Sequence, residues 1–274
     1  MRTRWILDDY LLSRSVPVGA PPFPDALVSA GCTVTAHSFD PRTRSISPAP
    51  AEYDADAPAV VYGSFPFVRH VLSLAPGRLR PGAFMRLEEH SFHRFAAHHG
   101  DLLLNGDFHM LPFGELRRRA PPADPVFLRP DRVTKSFTGF VIDPADYAFE
   151  ISCLERNGGI QPEELVIVAP AREIETECRF VIADGAVVAG STYGWADGFK
   201  PSPDTPGICR DLAVEVAGRQ WQPDTVYTCD VAVSEGRARL VELNCFSCSG
   251  LYACDTGAVA EAVTACALDE YGGG

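Results

Sequence analysis

Short apolar runs at residues 4–8, 32–39 and 59–63 read as strands, and 24–30, closed by Gly31, and 66–74 read as helices. Strands separated by helices make an α/β unit with a largely parallel sheet. Proline- and alanine-rich stretches at 47–58 and 120–125 punctuate this half, and the second marks a boundary before Val126. From Val126 the pattern shifts to extended runs at 126–129, 139–142, 165–168, 175–182 and 186–191, with Asp184-Gly185 as a tight turn. A helix at 146–157, stopped by Gly158-Gly159, interrupts the series. Residues 197–207 read as a loop, 211–219 as a helix, 226–233 and 238–244 as a second hairpin, and 257–270 as a closing helix. No internal repeat or coiled coil is evident.

The second hairpin carries the clearest chemistry. With its turn centred on Gly236, Asp230 stands opposite Glu242, because cross-strand partners are equidistant from the turn. Side chains alternate faces, so Asn244 shares the face of Glu242 while Val241 and Leu243 point into a core. Two carboxylates and an amide on one face suit a hard divalent cation such as Mg2+, which takes oxygen ligands and completes its shell with water and phosphate. Asp230, Glu242 and Asn244 are therefore candidate metal ligands. A polar strand face wetted by solvent is the alternative.

Composition narrows the field. The chain has 274 residues with 46% hydrophobic content, enough for a sizeable core, and a net charge of -12 that argues against a nucleic-acid partner. The N-terminus lacks the long apolar stretch of a signal peptide, and no run approaches the roughly 20 apolar residues of a membrane span, so a cytoplasmic protein with no membrane partner is expected. Nine cysteines are expected to stay thiols there. Lysine occurs only at Lys135 and Lys200, against many arginines, which singles both out as mobile contacts to phosphate.

Asp230 followed by Glu242-Leu-Asn244 and a Ser/Gly loop resembles the carboxy-terminal end of ATP-grasp enzymes, and upstream segments fall in that family's order. Val126-Phe-Leu-Arg129-Pro130 stands where most members have a strand ending in Lys-Pro. Thr134-Lys135-Ser-Phe-Thr138-Gly139 stands where they carry a phosphate-covering loop richer in glycine. An arginine at 129 with an accompanying lysine is similar to a bacterial and phage clade of the family. The resemblance implies a pre-ATP-grasp α/β domain at 1–120, an ATP-grasp lobe with the phosphate loop and adenine hinge at 121–185, and a C-terminal α+β lobe with the magnesium site at 186–274. It implies that Arg129 and Lys135 hold ATP phosphates, that Val168, Ala169 and Pro170 belong to a hinge reading adenine, and that Glu177 accepts ribose hydroxyls. It further implies that Arg179, with Lys135, acts on the phosphates or acyl intermediate.

The implied activity is an ATP- and Mg2+-dependent carboxylate–amine ligase making an amide through an acyl phosphate, on an amino acid or small peptide. A kinase of the same fold and a nucleotide-binding module without turnover remain alternatives, and a homodimer is compatible with the sequence. Candidate substrate contacts are Ser191, Tyr193 and Lys200, with Ser247, Ser249 and Gly250 offering hydroxyls and amides to an anion. Cys245-Phe-Ser-Cys248 lacks a second pair for zinc. His90, His93, His98, His99 and His109 cluster around a helical stretch expected to begin near Met85, at spacings that do not put three nitrogens on one helix face.

Overall fold

The computed structural model describes residues 2–13, 19–49, 57–157, 159–195 and 198–273. The first part runs Arg4–Asp8 (β1), Asp9–Ser13 (α1), Phe23–Ser29 (α2), Thr33–Asp40 (β2), Ser45–Ser47 (β3), Ala59–Tyr62 (β4), Phe65–Leu74 (α3) and Pro81–Gly82 (β5). These strands form one sheet in the order β3-β2-β1-β4-β5, parallel at every pairing except β2 with β3. Both faces of β1 are buried, as in a sheet covered on two sides. Trp5 and Leu7 pack toward Phe23 and Leu27 of α2, and Ile6 packs toward Phe67, Val68 and Val71 of α3.

The chain continues through Phe92–His99 (α4), His109–Pro112 (β6), Phe113–Leu116 (α5), Val126–Pro130 (β7), Phe140–Ile142 (β8), Tyr147–Asn157 (α6) and Leu165–Pro170 (β9). A four-stranded sheet in the order β6-β9-β7-β8 packs Leu128 and Val166 against Tyr147, Ile151 and Leu154 of α6. Thr176–Ala183 (β10), Ala186–Trp195 (β11), Gly198–Ser202 (β12), Gly207–Ala217 (α7), Val226–Ser234 (β13), Arg237–Cys245 (β14) and Thr256–Gly272 (α8) complete it. Their sheet runs β12-β11-β10-β13-β14, antiparallel throughout. One face of β10, with Cys178, Phe180 and Ile182, packs on Cys209, Leu212 and Val216 of α7. The opposite face changes character along its length: Val181 and Ala183 join the core beneath α8, and Glu177 and Arg179 lie at the other end.

Several boundaries differ from the sequence pattern. The four-stranded sheet starts with β6, before the break expected at 120, and residue 185 falls in the turn of the β10–β11 hairpin, inside a single sheet. Residues 198–202 form an edge strand rather than loop, because β11 runs on to Trp195 and offers Gly194 and Trp195 as partners to Phe199 and Gly198. The edge position tolerates Pro201, whose missing amide misled the composition argument; Asp197 lies outside the described residues. Helix α7 begins at Gly207, directly after Pro206 at its N-cap, four residues earlier than expected. Helix α4 begins at Phe92 rather than near Met85, since Asp131 fixes its first turn: the carbonyl accepts from Phe92 N (2.9 Å) and Oδ1 from His93 N (2.9 Å).

Candidate functional site

The hairpin β13–β14 meets its expected pairing by an unexpected route. Glu235 and Gly236, at φ 51° and 68°, form a two-residue turn with Ser234 opposite Arg237. Extended without interruption, that register would set Asp230 against Val241. A bulge between the Asp230 and Val231 pairs adds one residue on β14 and restores Asp230 opposite Glu242. The bulge also turns Val241 onto the face of Glu242, where both line a cavity, so only Leu243 points into the core as expected.

Asp230, Glu242 and Asn244 meet on this face. Asn244 Nδ2 donates to Glu242 Oε1 at 2.9 Å and to Asp230 Oδ2 at 3.2 Å. Three cations close around them. Arg179, opposite Asp230 across the β10–β13 pairing, forks onto it with Nε to Oδ1 at 2.8 Å and Nη2 to Oδ2 at 2.7 Å. Lys135 Nζ, in the loop after β7, donates to both Glu242 oxygens at 3.1 Å. Arg129, at the end of β7, places Nη2 3.1 Å from Glu242 Oε2 and lies over the Phe92 ring at 5.3 Å.

Burial pushes the Glu242 carboxyl up, but Lys135 and Arg129 more than offset this and hold it well below the usual carboxylate range. Burial would likewise strip the proton from Arg179; the Asp230 carboxylate beside it prevails and keeps the guanidinium charged. At Glu177, burial and then the charge of Asp230 push the carboxyl up to about 7, and the Tyr193 hydroxyl and the Arg179 charge pull down too weakly to prevail.

Arg129, Lys135, Glu177 and Glu242 line a cavity of about 400 Å³ between the four-stranded sheet and the β10–β14 end of the antiparallel sheet. Phe127, Phe140, Ile174 and Val241 give it apolar walls, and Asn105 and Arg172 add polar ones. Val168, Ala169 and Pro170 are absent from that lining. They lie in β9, where Val168 is paired on both sides and Ala169 pairs with Phe127, and Pro170 has no amide to donate. Lys135 and Asn244 also line a smaller cavity of about 160 Å³, with Phe65, Cys248 and Ser249. A separate groove of about 830 Å³ is lined by Asp131, Arg132, Val133 and Thr134 with His93 and Glu164, and touches none of these charged site residues.

The substrate candidates separate. Ser191 Oγ shares its one proton between the carbonyls of Thr192 (2.9 Å) and Ser202 (3.1 Å) and accepts from Ala253 N; Ser247 Oγ accepts from Phe84 N; Ser249 Oγ donates to the Cys245 carbonyl at 2.8 Å. All three hydroxyls therefore hold the fold together. The Gly250 carbonyl accepts from Arg179 Nη1 at 3.1 Å. Tyr193 hydrogen-bonds Glu177 and stacks on Tyr252 at 4.4 Å, and Arg179 lies over the Tyr252 ring at 4.9 Å. Lys200 sits apart on edge strand β12. Tyr252, with φ 51°, was not legible in sequence; Arg172 and Ile174 were overlooked because they follow β9 in an unpatterned stretch.

The histidines disperse. His93 Nδ1 meets Asp131 at 2.8 Å, His98 stacks on Trp221 at 4.3 Å, and His90 is buried against the Arg86 carbonyl. Among the described residues no group of three or more His, Cys, Asp and Glu is arranged to hold a metal ion. A metal at this site would rest on two carboxylates and one amide. That set fits a hard cation: a half turn of the Asn244 amide exchanges the nitrogen now facing both carboxylates for its oxygen.

The model of the family described as ATP-grasp domain, R2K clade family 3, matches residues 80–263. The chain belongs to this ATP-grasp family. Solved structures share the fold. D-cycloserine synthetase DcsG aligns with TM-score 0.59 at 14% identity, over 98% of this chain and 99% of that one. D-alanine–D-alanine ligase from Bacillus anthracis complexed with ATP aligns with TM-score 0.54 at 12% identity, over 100% and 99%. The ATP-grasp ligase PsnB, complexed with precursor peptide PsnA2 and AMPPNP, gives TM-score 0.52 at 12% identity, over 96% and 97%. No curated protein sequence matches the chain. No helix among the described residues is long and apolar enough to cross a membrane.

Proposed function

We propose that the chain is an ADP-forming carboxylate–amine ligase that makes an amide or peptide bond from a small carboxylate, such as an amino acid or small peptide, and an amine. The observation that carries this is the convergence of Arg129, Lys135, Glu177, Glu242 and, through Asn244, Asp230 on a cavity between two sheets. Three solved structures that share the fold are a synthetase and two ligases.

In this reading the polyphosphate of ATP lies against Lys135 and Arg129, the ribose hydroxyls donate to Glu177, and the base enters between Phe127, Phe140 and Ile174. Asp230, Glu242 and Asn244 would hold Mg2+, which when bound neutralises phosphate charge. Arg179 holds Asp230 in place and opposes the burial that pushes its carboxyl up. A carboxylate seated in the smaller cavity beside Asn244 and Ser249 attacks the γ-phosphorus, ADP departs, and an amine then attacks the acyl carbon and releases phosphate. The segment around Lys135 spans both cavities and excludes water from the acyl phosphate. The sheet of β1 to β5 serves as the pre-ATP-grasp domain and the other two sheets as the ATP-grasp lobes, at work in the cytoplasm, where nine thiols stay reduced.

The test is release of ADP over a panel of acids and amines. A ligase releases it only when both are supplied, and Glu242→Ala with Asn244→Ala abolishes release and metal-dependent nucleotide binding. ADP release with a hydroxyl acceptor alone would replace ligase by kinase, and folded wild type that binds no nucleotide would end the proposal.

A further inference from the structure

Both oxygens of Glu242 are already engaged by three hydrogen bonds and one ion-pair contact. An ionised carboxylate offers about four lone-pair sites, and its own neighbours supply as many contacts. Lys135 reaches Oε1 and Oε2 at 3.1 Å, Arg129 reaches Oε2 at 3.1 Å, and Asn244 reaches Oε1 at 2.9 Å. Asp230 takes Arg179 on both oxygens and Asn244 on one. Two carboxylates thus answer to three cations in direct contact.

A divalent cation arriving alone meets a Glu242 engaged on both oxygens and a local excess of positive charge, in a buried site where salt screens poorly. A polyphosphate alters both conditions, because its oxygens give Lys135 and Arg129 other partners and so free Glu242 lone pairs. We infer that this site admits its divalent cation only together with a polyphosphate, and that Lys135 is the residue whose transfer from Glu242 to phosphate opens it. The inference rests on the reading of the site as one for a metal–nucleotide complex.

Lys135 is the mobile member of the pair. Its side chain is 36% exposed on a flexible stem, whereas that of Arg129 is 7% exposed and lies over the Phe92 ring. The backbone of Lys135 sits in the left-handed region at φ 42°, which residues bearing a Cβ seldom occupy.

The test measures binding of Mn2+, a spectroscopically visible oxygen-seeking cation, alone and with AMPPNP, to wild type, Lys135→Gln and Lys135→Arg. Wild type should hold Mn2+ at least about tenfold more weakly alone than with AMPPNP, and Lys135→Gln should tighten Mn2+ alone by about tenfold while weakening AMPPNP. Lys135→Arg, which keeps the charge, should stay near wild type toward Mn2+ alone; a rise equal to that of Lys135→Gln would refute the charge argument. If AMPPNP binds but Lys135→Gln leaves Mn2+ affinity unchanged, the inference falls and the nucleotide site stands. If wild type binds no AMPPNP with or without Mn2+, both fall.

Discussion

Replacing Arg179 by methionine keeps much of the side-chain volume and deletes its charge. Arg179 loses two bonds to Asp230 at 2.8 and 2.7 Å, one to the Gly250 carbonyl at 3.1 Å, and its contact with the Tyr252 ring. The two side chains are 9% and 1% exposed, so water does not replace the fork. Breaking one side of a buried pair leaves a stranded charge and typically costs about 3–5 kcal/mol. The Asp230 carboxyl, already pushed up by burial and held back by Arg179, would rise further in the variant. A carboxyl raised in the folded state favours folding at low pH and loses that contribution as pH climbs, so the deficit of Arg179→Met should grow from acid toward pH 8. Urea unfolding of wild type, Arg179→Met and Arg179→Met with Asp230→Asn measures this. The double variant, which removes the stranded charge, should regain at least half of the loss. A single variant within about 1 kcal/mol of wild type, or a double variant no better than the single, would refute the reasoning.

Glu177 gives the second pH signature: with its carboxyl raised from 4.5 to about 7, wild type should lose stability relative to Glu177→Gln as pH rises through that interval, by at most about 3 kcal/mol, read by unfolding in EDTA at pH 5 and 8. Gly63→Ala sets a Cβ 2.3 Å from Asp8 Cβ and 2.7 Å from Phe67 Cδ1, and should destabilise by about 1–3 kcal/mol in the same assay, the range for overpacking. Gly139→Ala places a Cβ 2.7 Å from Phe127 Cζ and 3.1 Å from Arg129 Cβ, at the wall of the larger cavity. Calorimetry with AMPPNP and Mg2+ should find its affinity reduced about tenfold, the scale of a small positioning error.

Local signals carried much of the architecture. Asp184-Gly185 and Glu235-Gly236 announce their turns, and the apolar runs of β1, β4 and β9 announce buried strands. The candidate metal face was legible because Asp230, Glu242 and Asn244 lie on one hairpin. The partner of Asp230 was not. Arg179 lies 51 positions away and meets it only when β10 and β13 pair, so no spacing rule joins them. Parity counting gave the Asp230–Glu242 pair by two offsetting departures, a turn half a residue nearer the N-terminus and a bulge beyond it, and it consequently misplaced Val241. Hydroxyls at Ser191, Ser247 and Ser249 looked available in a Ser/Gly context, but buried hydroxyls seek partners, and backbone groups of the fold took them.

Helix α8 covers the apolar face of the first sheet: Trp5 Nε1 donates to Thr264 Oγ1 at 3.3 Å, and Val259, Val263 and Ala267 share a cluster with Leu7, Phe23 and Leu27. A ribosome makes β1 and α2 first and α8 some 230 residues later, at about 5–20 residues per second. For that interval the part of the Trp5 and Leu27 cluster that α8 supplies is not yet made. The apolar core of the N-terminal layer is therefore complete only when residues 256–272 arrive.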